Sequence, residues 1–178
     1  TDANGCRANT LVTITQPTAL TVSTTGTNLT CSAVCAGEAT GTGAGGTSPY
    51  TYKWSSGQTA QTINSLCAGT YTVTSTDANG CRANASVTIT QPTALTVSTT
   101  STNLSCSAVC IGAATGTGAG GTSPYTYKWS NASTTQTISS LCIGTYTVTT
   151  IDVNGCRANT PVTITQPTAL TVSTTGTN

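Results

Sequence analysis

TYTVTSTDANGCRANASVTITQ, Thr70–Gln91, holds two alternating runs around one turn. Tyr71 and Val73 share one parity in the first run, and Val87 and Ile89 share one parity in the second. β-branched residues at a period of two suit a half-buried strand. Between the runs stands Asp77-Ala78-Asn79-Gly80, where Asn-Gly supplies the positive φ that a tight hairpin requires. The stretch therefore predicts an antiparallel hairpin.

The same parity extends upstream. Leu20 and Val22 share a face of a first strand, and Ala39–Ala44 forms a second strand with almost no side chains. Tyr50, Tyr52 and Trp54 lie on one face of a third, with Thr51 and Lys53 opposite; Ile63 and Leu66 belong to a fourth. Helix formers such as Leu, Met, Glu and Lys are scarce. The fold class is all-β.

An internal repeat sets the organisation. TDANGCRANTLVTITQPTALTVSTTGTN at Thr1–Asn28 returns, nearly unchanged, at Thr76–Asn103 and at Ile151–Asn178. The period is 75 residues, and the first two copies differ at 13 positions. That period is too long for one coil of a solenoid and suits a small antiparallel β-sandwich. Gln16-Pro17 recurs as Gln91-Pro92 and Gln166-Pro167, each time between two apolar runs. Proline cannot donate to a central ladder, so these points mark the module boundaries. The expected division is a repeat at 17–91 and a second at 92–166. Residues 1–16 are then the last strand of a preceding repeat, and 167–178 the first strand of a following one. No Gly/Ser linker separates the modules, so the junctions should be stiff.

A family resemblance rests on several motifs together. Gly45-Gly46-Thr47-Ser48-Pro49-Tyr50-Thr51-Tyr52-Lys53-Trp54-Ser55, Leu66-Cys67-Ala68-Gly69-Thr70-Tyr71-Thr72-Val73, Thr76–Cys81 and Val87–Pro92 resemble the SprB-like repeat of Bacteroidetes gliding-motility and cell-surface adhesins. The likeness covers essentially the whole period in both copies. It implies tandem Ig-like modules in a very large surface protein. Leu66, Gly69 and Tyr71 also resemble the tyrosine corner of Ig-like sandwiches, where the phenol bonds back to nearby backbone. The family carries branched apolar residues where this chain has Gly41 and Gly43, which leaves the second strand thin.

Composition excludes several function classes. Charged residues are 5% of the chain and the net charge is +1, without the basic cluster that nucleic-acid binding needs. No apolar run approaches the ~20 residues of a spanning helix. There is no His to activate a nucleophile and no pair of carboxylates, so no catalytic residue, metal ligand or cofactor is expected. Asp77 reads as a turn-former. Calcium wants six or more oxygens, usually with several carboxylates. Trp54 and Trp129, with Tyr71 and Tyr146, read as structural core; stacking of the indoles on sugar is the competing reading. Sequons at Asn28, Asn84, Asn103 and Asn131 are short enough to arise by chance.

Nine cysteines without a histidine point to disulfides in an oxidising, extracellular setting. Ala36 and Ala68 each follow a cysteine, and both become isoleucine in the next copy, as Ile111 and Ile143. Paired changes at matching sites suggest contact, hence Cys35 with Cys67 and Cys110 with Cys142. For the remaining cysteines two schemes stay open. A staple between modules joins Cys31 to Cys156 and leaves Cys6, Cys81 and Cys106 to partners outside this stretch. The other joins Cys31 to Cys81 and Cys106 to Cys156 within modules.

The expected function is an extracellular structural or adhesive repeat protein, a stiff disulfide-stapled stalk or filament on a bacterial surface. Its partners would be neighbouring repeats and possibly other copies of itself. The alternative is a polysaccharide-binding module acting through avidity.

Overall fold

A computed structural model describes residues 3–107 and 109–174. Twelve strands and no helix are present among them. The first repeat supplies β1 (Thr21–Thr27), β2 (Gly37–Ala44), β3 (Thr51–Trp54), β4 (Thr62–Leu66), β5 (Gly69–Thr76) and β6 (Arg82–Ile89). The second supplies β7 (Thr96–Thr102), β8 (Gly112–Ala119), β9 (Thr126–Trp129), β10 (Thr137–Leu141), β11 (Gly144–Ile151) and β12 (Arg157–Ile164).

Each repeat builds two three-stranded sheets, ordered β1-β2-β4 and β3-β5-β6, then β7-β8-β10 and β9-β11-β12. The ladders in both sheets are antiparallel. They run Thr21↔Ala44 to Thr27↔Glu38 between β1 and β2, and Thr51↔Thr76 to Trp54↔Val73 between β3 and β5. The chain passes from sheet to sheet after the second strand, returns for the fourth and crosses again for the fifth. This is the constant-type immunoglobulin plan less one strand of the four-stranded sheet. The protein is all-β, with Ig-like antiparallel sandwiches.

By compactness the chain divides into two units. The first gathers the chain up to Thr27 with Glu38–Asn64 and Thr70–Thr88. In it Trp54, Val73, Ala39 and Ile63 are buried. Gly41 of β2 lies under Val73 and Trp54, and a Cβ there would stand 3.3 Å from both valine methyls. The thin strand thus receives large side chains from the opposite sheet instead of supplying its own. Two tyrosines hold it: Tyr50 Oη donates to Gly45 O at 2.6 Å, and Gly43 N donates to Tyr52 Oη at 3.2 Å.

The second unit gathers Asn28–Gly37 and Ser65–Gly69 with the chain from Ile89 onward. Its core is Ala114, Trp129, Ile138, Leu141, Val148 and Ile164 from both sheets of the second repeat, with Leu104 from the loop after β7. Val97, Tyr127, Tyr146 and Val162 pack against it.

The flanks depart from expectation. Residues 5–16 and 167–174 form no strand, although they repeat the sequences of β6 and β1. Leu11, Ile14 and Leu170 are more than nine-tenths exposed. The cause is pairing. β6 lies beside β5 and β1 beside β2, and the described residues hold no spare copy of either partner. An extended segment without a ladder keeps its amides in water. Residues 1, 2 and 175–178 of these expected strands fall outside the described residues.

Candidate functional site

The part of the molecule with chemistry to examine is a disulfide-linked loop and hairpin in the second unit. The hairpin joins β11 to β12 and is organised by Asp152, which is buried. Its Oδ2 accepts from Thr122 N at 2.9 Å, and its Oδ1 accepts from Asn154 N and Cys156 N, both at 2.9 Å. Asn154 Nδ2 donates to Thr122 Oγ1 at 3.1 Å. Burial alone would raise the Asp152 pKa, but the amides of Thr122, Cys156, Asn154 and Gly155 outweigh it and hold the group below its ordinary value. The hairpin tip is fixed, and Cys156 with it.

The loop carrying Cys31 is fixed from its other side. Leu29 N donates to Thr90 O at 2.9 Å, Thr90 N donates to Asn28 Oδ1 at 2.9 Å, and Ala33 N donates to Gln91 Oε1 at 3.1 Å. Asn28 therefore acts as a cap on the strand end, a role its sequon does not announce.

Three disulfides are present: Cys31–Cys156, Cys35–Cys67 and Cys110–Cys142. Cys31 and Cys156 have Cα atoms 5.6 Å apart, and Asn154 Nδ2 donates to Thr30 O at 3.3 Å beside them. An open cleft of about 400 Å³ borders this bridge, lined by Cys31, Ser32, Val34, Ala94, Leu95 and Cys156 among others. Cys81 and Cys106 are exposed and unbridged, so the scheme joining them to Cys31 and Cys156 is not the one in the structure. Cys6 is exposed.

The first unit repeats the hairpin. Asp77 accepts from Thr47 N at 3.0 Å, Asn79 N at 3.0 Å and Cys81 N at 2.8 Å. The Thr47 amide is the main cause of its lowered pKa; burial opposes, and the Cys81 and Asn79 amides add to the lowering. Sequence reasoning saw a turn here and missed the tie to Thr47, since nothing in the string marks a partner thirty residues away.

The aromatic residues lie elsewhere. Trp54 and Trp129 are 1% and 2% exposed, and their Nε1 atoms donate to Ala60 O at 3.0 Å and Thr135 O at 2.9 Å. Tyr71 and Tyr146 are half-buried, and Tyr146 Oη donates to Cys142 O at 3.3 Å. No group of three or more His, Cys, Asp or Glu side chains able to hold a metal exists among the described residues. No helix among them is long and apolar enough to cross a membrane.

No family model matches the sequence, and no curated protein matches it. Among solved structures, the chain is similar to an amphioxus IgVJ-C2 molecule at 16% identity, over 67% of this chain and 90% of that one, with a TM-score of 0.32. It is also similar to a Dscam structure concerned with isoform specificity, at 12% identity over 73% of this chain and 41% of that one, TM-score 0.32. A third is the mouse nectin-like molecule 4 ectodomain, Ig1–Ig3, at 10% identity over 85% and 66%, TM-score 0.38. The strand order of each repeat carries the fold assignment by itself: the chain is built of Ig-like β-sandwiches.

Proposed function

We propose that this chain is a structural or adhesive segment of an extracellular repeat protein, without catalytic activity, whose successive 75-residue repeats are stapled into a stiff stalk or filament. The resemblance to SprB-like repeats of gliding-motility adhesins agrees with this reading, and three disulfides suit an oxidising compartment. The observation that carries it is the Cys31–Cys156 bond. Its separation of 125 residues exceeds the repeat period, so it ties one repeat to the next instead of closing a loop inside either. A junction with a covalent tie and no flexible linker resists bending.

The polysaccharide alternative needs aromatic faces in water, because stacking on a sugar ring uses an open π-face. Trp54 and Trp129 are buried, which favours the structural reading.

Small-angle scattering of the monomeric oxidised chain tests the proposal against a Cys31→Ser/Cys156→Ser variant. We expect one fixed maximum dimension for the oxidised chain and a broadened distribution for the variant. Indistinguishable curves would remove the staple's role, and saturable binding of a soluble glycan would promote the alternative.

A further inference from the structure

The tips of the two hairpins carry a dipeptide with a chemistry of its own. Asn79 precedes Gly80 and Asn154 precedes Gly155, and all four residues are exposed. Asparagine followed by glycine is prone to lose ammonia. A residue without Cβ leaves its own backbone nitrogen unhindered as it attacks the preceding side-chain amide. Open to water, both tips are places where that reaction is expected. The hydrogen bonds around them oppose it.

Both reacting groups are tied. Gly80 N, the nucleophile, donates to Asp77 O at 3.0 Å, and Gly155 N donates to Asp152 O at 3.0 Å. The side-chain amide that it would attack is held by a threonine 32 residues earlier. Asn79 Nδ2 donates to Thr47 Oγ1 at 2.9 Å, and Asn154 Nδ2 donates to Thr122 Oγ1 at 3.1 Å. Each threonine is anchored in turn. Thr47 N donates to Asp77 Oδ2 at 3.0 Å and Ala78 N donates to Thr47 O at 2.8 Å. Thr122 N donates to Asp152 Oδ2 at 2.9 Å and Val153 N donates to Thr122 O at 3.2 Å. One residue thus holds the carboxylate, the turn and the asparagine through three different atoms. Closure of the imide ring requires the turn bond to break and the asparagine side chain to leave its threonine.

We propose that Asn79 and Asn154 are modification sites gated by the fold, inert while the hairpin is closed and converted to aspartate and isoaspartate once it opens locally. In the open hairpin the Gly80 nitrogen gives its proton to hydroxide and attacks Cγ of Asn79. The Cγ–Nδ2 bond breaks, and the nitrogen leaves as ammonia after taking a proton from water, which restores the hydroxide. Water then opens the succinimide, at one carbonyl to give aspartate and at the other to give isoaspartate. One water is consumed for each ammonia released. Isoaspartate routes the main chain through the side-chain carbon and lengthens the backbone at the tip. Gly80 N and Cys81 N then lose the spacing that brings both to Asp77, so an opened hairpin is marked permanently.

The test is peptide mapping by mass spectrometry of the full oxidised chain, incubated at mildly alkaline pH with and without guanidinium chloride. The denatured chain should convert at both sites while the folded chain keeps both asparagines. Thr47→Val removes the hydroxyl that holds Asn79 and retains the backbone groups of residue 47. It should speed conversion of Asn79 several-fold and leave Asn154, in the same molecule, at the wild-type rate. Amide exchange at Val73, in the core of the first unit, should stay unchanged, which separates a freed side chain from an unfolded sandwich. Equal rates in the folded and denatured wild-type chain would overturn the gating, and that comparison needs no variant. A folded Thr47→Val chain whose Asn79 converts no faster than the wild type would overturn the role of the threonine clamp.

Discussion

Asp77 and Asp152 show how much structure one short side chain can organise. Each carboxylate gathers amides from its own hairpin and from a loop about thirty residues earlier. Both pKa values lie below the ordinary range in the folded protein. A depressed folded value means that the stabilisation is fully present above the unfolded pKa, about 3.9, and fades as pH falls through the folded value. The melting temperature should therefore hold from neutrality to about pH 5 and decline below about pH 4. Asp77→Asn should lower the neutral-pH melting temperature and flatten that acid limb, which a pH series of thermal melts reads directly. The turn was legible in Asp77–Gly80 because Asn-Gly has a local conformational meaning. The tie to Thr47 was not, because a backbone amide leaves no trace in the identity of the residue that bears it.

At the scale of elements, the glycine-rich strands β2 and β8 carry the main lesson. Their alternation identified them as strands, while their lack of side chains suggested a small share in the core. The packing reverses that emphasis: the missing side chains are the space that the other sheet fills. A Cβ on Gly112 would stand 2.8 Å from Ile164 Cγ2 and 3.0 Å from Leu141 O. Gly112→Ala should cost about 1–3 kcal/mol through overpacking, read as a lower urea midpoint with unchanged slope. The terminal stretches failed as strands for a complementary reason. Residues 7–14 have the right alternation, but a strand also needs an edge to pair with, and no local pattern states whether one is there. Pro161 illustrates the same dependence. In the first repeat its counterpart, Ser86, offers its carbonyl to Thr24 Oγ1 from the neighbouring sheet's β1, so the backbone at this position faces away from the hairpin partner. A proline there costs β12 no bond to β11.

Across the whole molecule, the repeat was plain in the sequence and the pairing of cysteines only partly so. Ala36 and Ala68 change together with Ile111 and Ile143, and each pair of positions sits directly after the two cysteines of one bridge. No such paired change distinguishes Cys31–Cys156 from Cys31–Cys81, because Cys81 and Cys156 occupy equivalent hairpins. Chain lengths alone permitted both. What separates them is the placement of a fixed loop against a fixed hairpin, a three-dimensional fact.

The Cys31–Cys156 bond also decides where tension travels. Pulled from outside the bridge, the oxidised chain transmits load from Cys31 to Cys156 through one sulfur–sulfur bond, and the 125-residue span that it closes is spared. β2–β6 and β7–β11 lie inside that span and are spared the pull, which falls on β1 and β12. Optical tweezers attached at residues 17 and 166 should find little extensible length in the oxidised chain. Adding a thiol reductant during the pull should release about 400 Å of further contour, at ~3.3–3.6 Å per residue. If the oxidised chain yields that length at the outset, the sulfur bridge does not carry the load.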